Sequence, residues 1–418
     1  MPSHDVIIIG AGLAGLSCAL ELRAQGLTPL ILEAADGVGG RVRTDEVEGF
    51  LLDRGFQVLL TAYPEAKRLL DYDALNLCSF LPGAKVRVNQ RFETISDPFR
   101  DPVGGLSTAL GATGTTTLTD KLRIAALRIR LLGQSREHLY AQGSDAQTSH
   151  WLKEQGFSER IIRAFFRPFY GGVLLDRDLT TSSKMLELTY KFFAEGDTVL
   201  PAYGIGQIPL QMAHAIGHQH IRTDAAVARV DGTYVHLENG ETLEAKDVVI
   251  ATDLDWASAQ HDGLEPDGWK GVTCVYYDAP KPPVQKPILV LNGEDEGPVN
   301  NLCVPSQISP FYAPEGRSLV SVSVVDDDAP NHEILDLRIK RQMVKWFGAQ
   351  VLQWRHLRTY HIPKAQPTQH PGQLTPAQKP VQLDAHTFVC GDHVEVASID
   401  GAMHSGVRAA RALMAARG

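Results

Sequence analysis

Hydrophobic residues open the chain as an unbroken run, Val6-Ile7-Ile8-Ile9, which suits a parallel strand buried on both faces. From about Leu13 to Gln25 the apolar positions fit a helix, and Gly26 just past its end is a stop signal. Leu30-Ile31-Leu32 predicts a second buried strand that ends at Glu33. Strand, helix and strand in so short a stretch form a βαβ unit with a right-handed crossover. Residues 51–200 carry helical patterns, including Asp120–Leu132 and Ser149–Phe166, between turns rich in Gly and Pro. Tyr234–Glu238 and Thr242–Ala245 alternate about Asn239-Gly240, a strong hairpin signal, and Val248–Ile250 is another buried strand. Extended runs follow at Val272–Tyr277 and Leu319–Val325, with a helix over Ile334–Phe347. The chain closes with a strand at Phe388-Val389-Cys390, a turn at Gly391-Asp392 and an alanine-rich helix over Gly401–Ala416. No internal repeat is evident. The order predicts a mixed α/β and α+β fold. A Rossmann-like domain built from residues 1–55, 196–255 and 384–418 interleaves with a second domain of 56–195 and 256–383.

Composition narrows the class. The 418 residues are 44% hydrophobic and 21% charged, which excludes a disordered, collagenous or disulfide-scaffold protein. A net charge of −9 gives no electrostatic case for nucleic acid. Five cysteines, at 18, 78, 274, 303 and 390, include no CxxC pair, so neither a disulfide framework nor a zinc site is suggested and a reducing compartment fits. His218 and His220 read as solvated loop residues, and no metal is expected. Val6–Leu20 is apolar or small throughout but lacks a basic segment before it, and no run is long enough to span a membrane. A cytoplasmic protein is expected. Lys121–Leu132 mixes basic and apolar residues, but its basic positions do not share one face, so it reads as an ordinary surface helix, with peripheral membrane contact left open.

Gly10-Ala11-Gly12-Leu13-Ala14-Gly15 matches GxGxxG between the first strand and the first helix. Gly10 permits the tight turn, Gly12 lets a pyrophosphate approach the backbone, and Gly15 allows close packing of helix on strand. The helix N-terminus offers free N–H groups to the anion, and Glu33 is placed to bind a ribose diol. That carboxylate disfavours NADP, and the motif alone leaves NAD and FAD open.

The stretch Glu33–Thr44 reads EAADGVGGRVRT. With its Gly39-Gly40-Arg41 step the sequence resembles the flavin amine oxidase superfamily, which includes monoamine oxidases, protoporphyrinogen oxidases and phytoene desaturases. The resemblance implies FAD, with Gly40 and Arg41 near the pyrophosphate. It extends to FVCGDHVEVASIDGAMHSGVRAA, residues 388–410. By that likeness Asp392 binds the ribityl chain, Gly401, Ala402 and Met403 lie beside the isoalloxazine, and the backbone of Val227 meets adenine. A helix N-terminus at the ring stabilises the negative charge of reduced flavin.

Three departures separate the chain from the amine-oxidase branch. Thr273 stands where the likeness would place a lysine near flavin N5, Ala397-Ser398-Ile399-Asp400 replaces a tyrosine of the amine cage, and no cysteine lies between Cys303 and Cys390 for covalent attachment. Phe165–Gly172 is similar to a substrate-domain segment of the desaturase and protoporphyrinogen-oxidase branch, with simple core packing as the alternative. Arg54 and Gln57 are candidates to orient substrate, with a structural ion pair as the alternative for Arg54. No catalytic residue is assigned. The resemblance implies an enzyme with noncovalent FAD that removes hydride from a hydrophobic substrate, isoprenoid or tetrapyrrole-like, and passes electrons to an acceptor such as oxygen or a quinone. The alternatives are an amine oxidase with an atypical site, a redox-neutral flavin isomerase or dehydroxylase, and a non-catalytic FAD-binding protein.

Overall fold

The computed structural model of the chain describes residues 4–97, 100, 114–265, 268–325 and 331–418. The opening unit comprises β1 (His4–Ile9), α1 (Leu13–Ala24) and β2 (Leu30–Leu32). Val6, Ile7 and Ile8 of β1 are fully buried, as a strand covered on both faces requires. A hairpin of β3 (Thr44–Val47) and β4 (Phe50–Asp53) follows, then a second pair, β5 (Gly83–Val88) and β6 (Arg91–Ser96). Helices α2 (Leu118–Leu132), α3 (Thr148–Glu154) and α4 (Ser183–Glu195) come next. The chain returns to strands with β7 (Ile221–Arg222), β8 (Val227–Asp231), β9 (Tyr234–Leu237) and β10 (Thr242–Ile250). Beyond these lie β11 (Trp269–Ala279), β12 (Leu289–Asn292), β13 (Asn301–Cys303) and β14 (Ser318–Val325). Helix α5 (His332–Phe347), β15 (Arg355–Pro367), β16 (Thr387–Val389) and α6 (Ile399–Arg417) complete the series.

The first sheet runs β7-β2-β1-β10-β9-β8, and β16 also pairs with β10. Its centre is parallel: Ile7 pairs with Leu30 on one side and Val248 on the other, and Val249 pairs with Phe388. The sheet therefore draws on three stretches far apart in sequence. Helices α1 and α6 pack together so closely that a Cβ on Gly406 would sit 2.1 Å from the Ala14 carbonyl oxygen. The second sheet runs β15-β11-β14-β13-β12-β5-β6 and is antiparallel except where β12 pairs with β5. Val275, Tyr277, Val320 and Val322 on one face pack with Leu335, Ile339 and Met343 of α5. The helices over 118–195 have their own core, including Leu127, Leu131, Trp151, Phe166 and Leu186.

The mixed α/β and α+β class is as expected. Two local readings need correction. The pattern over Ser149–Phe166 is not one helix: α3 ends at Glu154, Gly156 turns the chain at φ 79°, and Ile162–Phe166 winds as a π-helix. Residues 83–96 form two strands inside a stretch whose pattern signalled helices.

Candidate cofactor and substrate site

One cavity of about 670 Å³ runs from the carboxyl end of the first sheet to the inner face of the second. At the first end, β1 stops at the glycine turn. Gly10 sits at φ 107°, and a Cβ there would come 2.6 Å from the Ala251 carbonyl oxygen; one on Gly15 would come 2.0 Å from that of Gly10. These two glycines let α1 start directly against the strand ends. Gly12 differs, since a Cβ there would meet nothing within 4 Å and Gly12 lines the cavity. Open space above bare backbone at a helix N-terminus is what a pyrophosphate needs.

Glu33, at the end of β2, lines the same cavity and accepts the Ala11 N–H at 2.7 Å and the Ala35 N–H at 2.9 Å. It thereby braces the glycine turn as well as facing the site. Arg41 donates to Asp392 Oδ1 at 2.7 Å and to the Ala365 carbonyl at 2.8 Å. Burial opposes ionisation of Asp392, but the Arg41 guanidinium outweighs it and holds the carboxyl below its usual range. The pair ties the N-terminal glycine-rich stretch to the C-terminal turn. His393, buried beside it, has no hydrogen-bond partner on either ring nitrogen, and burial pushes it down to about 4, so it stays neutral.

Of the residues singled out in sequence, Gly10, Gly12, Glu33, Gly40, Arg41, Val227, Asp392 and Ala402 all line this cavity. Gly15 lies behind the turn, and Gly401 forms the first turn of α6, donating its N–H to Ser398 Oγ at 2.9 Å. Met403 does not face the cavity; helical geometry turns its side chain into the core with Leu16 and Phe388, fully buried. Thr273 also requires correction. It is buried with its hydroxyl 3.0 Å from His361 Nδ1, and β11 presents Val272 to the cavity instead, because neighbouring strand residues face opposite ways. Sequence reasoning missed Thr252, Asp253 and Trp256, which line the cavity just beyond β10. Their position past the carboxyl end of a parallel strand was the available signal.

The far end forms a chamber of different character. Val58, Leu60, Tyr63, Phe169, Val173, Leu175, Met185, Phe193, Val272, Leu289, Val325, Ile362 and Ile399 supply its walls. Its polar groups are engaged within the protein. Thr189 Oγ1 donates to the Met185 carbonyl at 2.6 Å, Asn301 Nδ2 to Ser323 Oγ at 3.3 Å, and Gln57 Nε2 to the Arg41 carbonyl at 2.9 Å. Arg54 is bound to Asp45 through both Nε and Nη2, at 2.9–3.2 Å, so the ion-pair reading holds for it even though it borders the cavity. Burial, reinforced by Asp400, pushes the Tyr63 phenol up and keeps it protonated. The acids lining the cavity, Glu33, Asp253 and Asp392, all stand at the first end. In the 165–172 segment, Phe169 and Gly172 reach the cavity while Phe166 and Tyr170 pack in the helical core.

The glycine turn, the acid at the end of β2, the Arg41–Asp392 pair and the start of α6 fit a dinucleotide running toward the chamber. No cysteine lines the cavity. Among the described residues no group of side chains could hold a metal ion, and no helix is long and apolar enough to cross a membrane.

The family model for flavin containing amine oxidoreductase matches residues 13–414. A 15-cis-phytoene desaturase from Glycine max is 26% identical over 294 residues, covering 64% of this chain and 50% of that protein. A coproporphyrinogen III oxidase from Propionibacterium freudenreichii subsp. freudenreichii is 28% identical over 176 residues, covering 41% and 32% of the two chains. The chain spans about half the length of the phytoene desaturases it matches. Among solved structures, a redesigned putrescine oxidase aligns over 99% of both chains with a TM-score of 0.75 and 20% identity. Reduced UDP-galactopyranose mutase aligns over 99% of this chain and 96% of its own, with a TM-score of 0.70 and 17% identity. Likeness at that level concerns the fold.

Proposed function

The chain belongs to the flavin-containing amine oxidoreductase family and is an FAD-dependent oxidoreductase, and we propose that it removes hydride from a carbon of a hydrophobic substrate. The lining of the chamber carries this reading. A protonated amine brought there would lose its hydration and find no carboxylate among the lining residues, at a cost of several kcal/mol. A neutral apolar molecule, isoprenoid or tetrapyrrole-like, pays no such penalty and gains from every wall it covers. The sequence likeness to a desaturase and a porphyrinogen oxidase supports the same direction.

In this reading residues 1–55, 196–255 and 384–418 hold FAD noncovalently, and 56–195 and 256–383 hold the substrate. Gly12 and the start of α1 receive the pyrophosphate, Glu33 the adenosine ribose, the Val227 backbone the adenine, and Arg41 with Asp392 the middle of the cofactor. The first turn of α6, at Gly401 and Ala402, directs its positive end toward the flavin ring. When bound, FAD supplies the two-electron acceptor for hydride, the accompanying proton is released, and oxygen or a quinone is the final oxidant. The chain's own part is positioning and water exclusion, because no histidine and no carboxylate borders the chamber to move a proton there.

The test is anaerobic bleaching of the visible flavin band of the purified holoenzyme. Polyenes and porphyrinogens are expected to bleach it while simple amines leave it unchanged. Bleaching by amines alone would refute the reading. Bleaching by nothing in the panel would favour a redox-neutral or non-catalytic role.

A further inference from the structure

Helix α2 shows the solvent a side that the pattern of its basic residues conceals. Leu118, Leu122, Ile129 and Leu132 are 59%, 66%, 71% and 39% exposed. At the rotation of an α-helix these four lie within an arc of about 80° and form one apolar stripe along the whole helix. The opposite side is firmly seated: Leu127 and Leu131 belong to the helical core, and Asp120 is fully buried. The stripe therefore does not belong to a loosely attached helix. Single exposed leucines need no explanation, but four aligned on one packed helix do.

Charge identifies what would cover them. The chain as a whole carries −9, yet α2 holds Lys121, Arg123, Arg128 and Arg130 against a single acid, the buried Asp120. Arg128 is turned inward to Asp97, at 2.8 Å. Arg130 pairs with Glu187 at 2.7 Å but keeps a 40% exposed side chain. Lys121 and Arg123 stand on either flank of the stripe by helical angle. An apolar stripe between cations, with no exposed acid on the helix, is complementary to an anionic lipid surface: acyl chains below and phosphates at the sides. The location agrees with this. Helix α2 packs on α4, where the Tyr190 hydroxyl meets the Ile124 carbonyl at 3.4 Å and Lys191 Nζ meets the Leu131 carbonyl at 3.3 Å, while Met185, Thr189 and Phe193 of α4 line the chamber.

We propose that α2 docks the protein on anionic membranes by laying Leu118, Leu122, Ile129 and Leu132 into the interface. This places the apolar chamber one helix away from the bilayer surface. Docking does not depend on the proposed reaction and can be tested without a substrate.

The experiment is co-sedimentation of the FAD-loaded protein with vesicles of phosphatidylcholine alone or mixed with phosphatidylglycerol. Wild type is expected to sediment with the mixed vesicles, more weakly with the neutral ones, and less as salt rises. The double variant Leu122→Glu/Ile129→Glu is expected to lose roughly tenfold or more in partitioning, while keeping its flavin absorbance and thermal midpoint. Both positions are exposed, so folding is not at stake. Failure of wild type to bind either vesicle overturns the proposal, as does equal binding by the double variant. A lipid-independent dimer that the double variant abolishes, with no vesicle binding by wild type, overturns it as well and assigns the stripe to a second copy of the chain.

Discussion

Gly12 is defined by what is missing around it. Because no atom approaches a Cβ at that position, substitution there leaves the fold intact and fills only the space reserved for the cofactor. Gly12→Val should therefore yield a folded, colourless protein, detected by its visible spectrum beside an unchanged far-ultraviolet circular dichroism. A yellow variant with full flavin content would contradict the cradle. Gly10 and Gly15 would behave differently, since side chains there collide with backbone at 2.6 and 2.0 Å and the whole turn must move. At this scale the sequence was largely legible, because GxGxxG, Glu33, Arg41 and Asp392 depend on local chain geometry or on residue chemistry. Thr273 and Met403 were misplaced because a likeness fixes a position along the chain but not which way its side chain points.

Helix α2 is held at its start by one carboxylate. Asp120 accepts the Thr117 N–H at 2.9 Å, the Thr117 hydroxyl at 2.6 Å, the Ser158 N–H at 2.9 Å and the Ser158 hydroxyl at 2.7 Å. It closes a capping box and joins two helical segments at once. Asp120→Ala should cost about 3 kcal/mol, because two backbone donors lose their partner along with the cap. Thermal unfolding would show this as a lowered midpoint with flavin content unchanged; an unaltered midpoint would mean water replaces the carboxylate. Elements built on local contacts, such as the βαβ unit and the hairpin about Asn239-Gly240, were readable from their own residues. Strands β5 and β6 were not, because the partner of β5 outside their hairpin is β12, about two hundred residues away, and nothing local marks that pairing. Nor could the outward face of α2 be known before α4 was seen packed behind it.

At the scale of the molecule, Asp53 joins parts that are distant in sequence. Its carboxylate accepts from Thr44 Oγ1, from the Ile205 N–H at 3.0 Å and from the Tyr312 hydroxyl at 2.8 Å. Burial nevertheless dominates and pushes this carboxyl up to about 6 from 3.8. The folded state thus binds the proton more tightly than the unfolded chain. The resulting stabilisation is complete below pH 3.8 and is lost as pH rises through about 6. Against an Asp53→Asn variant, wild type should lose about 2 kcal/mol of relative stability between about pH 4.5 and about pH 7.5. Denaturant unfolding of both proteins at the two pH values measures this difference, and a gap independent of pH would show that Asp53 is ionised throughout.

The three-part first sheet bears on how the protein is made. Strand β1 leaves the ribosome early, but its neighbour β10 follows only after more than two hundred residues, and β16 and α6 later still. Until those arrive, the glycine turn has no floor, Arg41 has no Asp392, and two apolar strand edges stand open. FAD cannot be captured by the nascent chain; the wait falls to chaperones, and the cofactor enters as the last ordering step of biosynthesis.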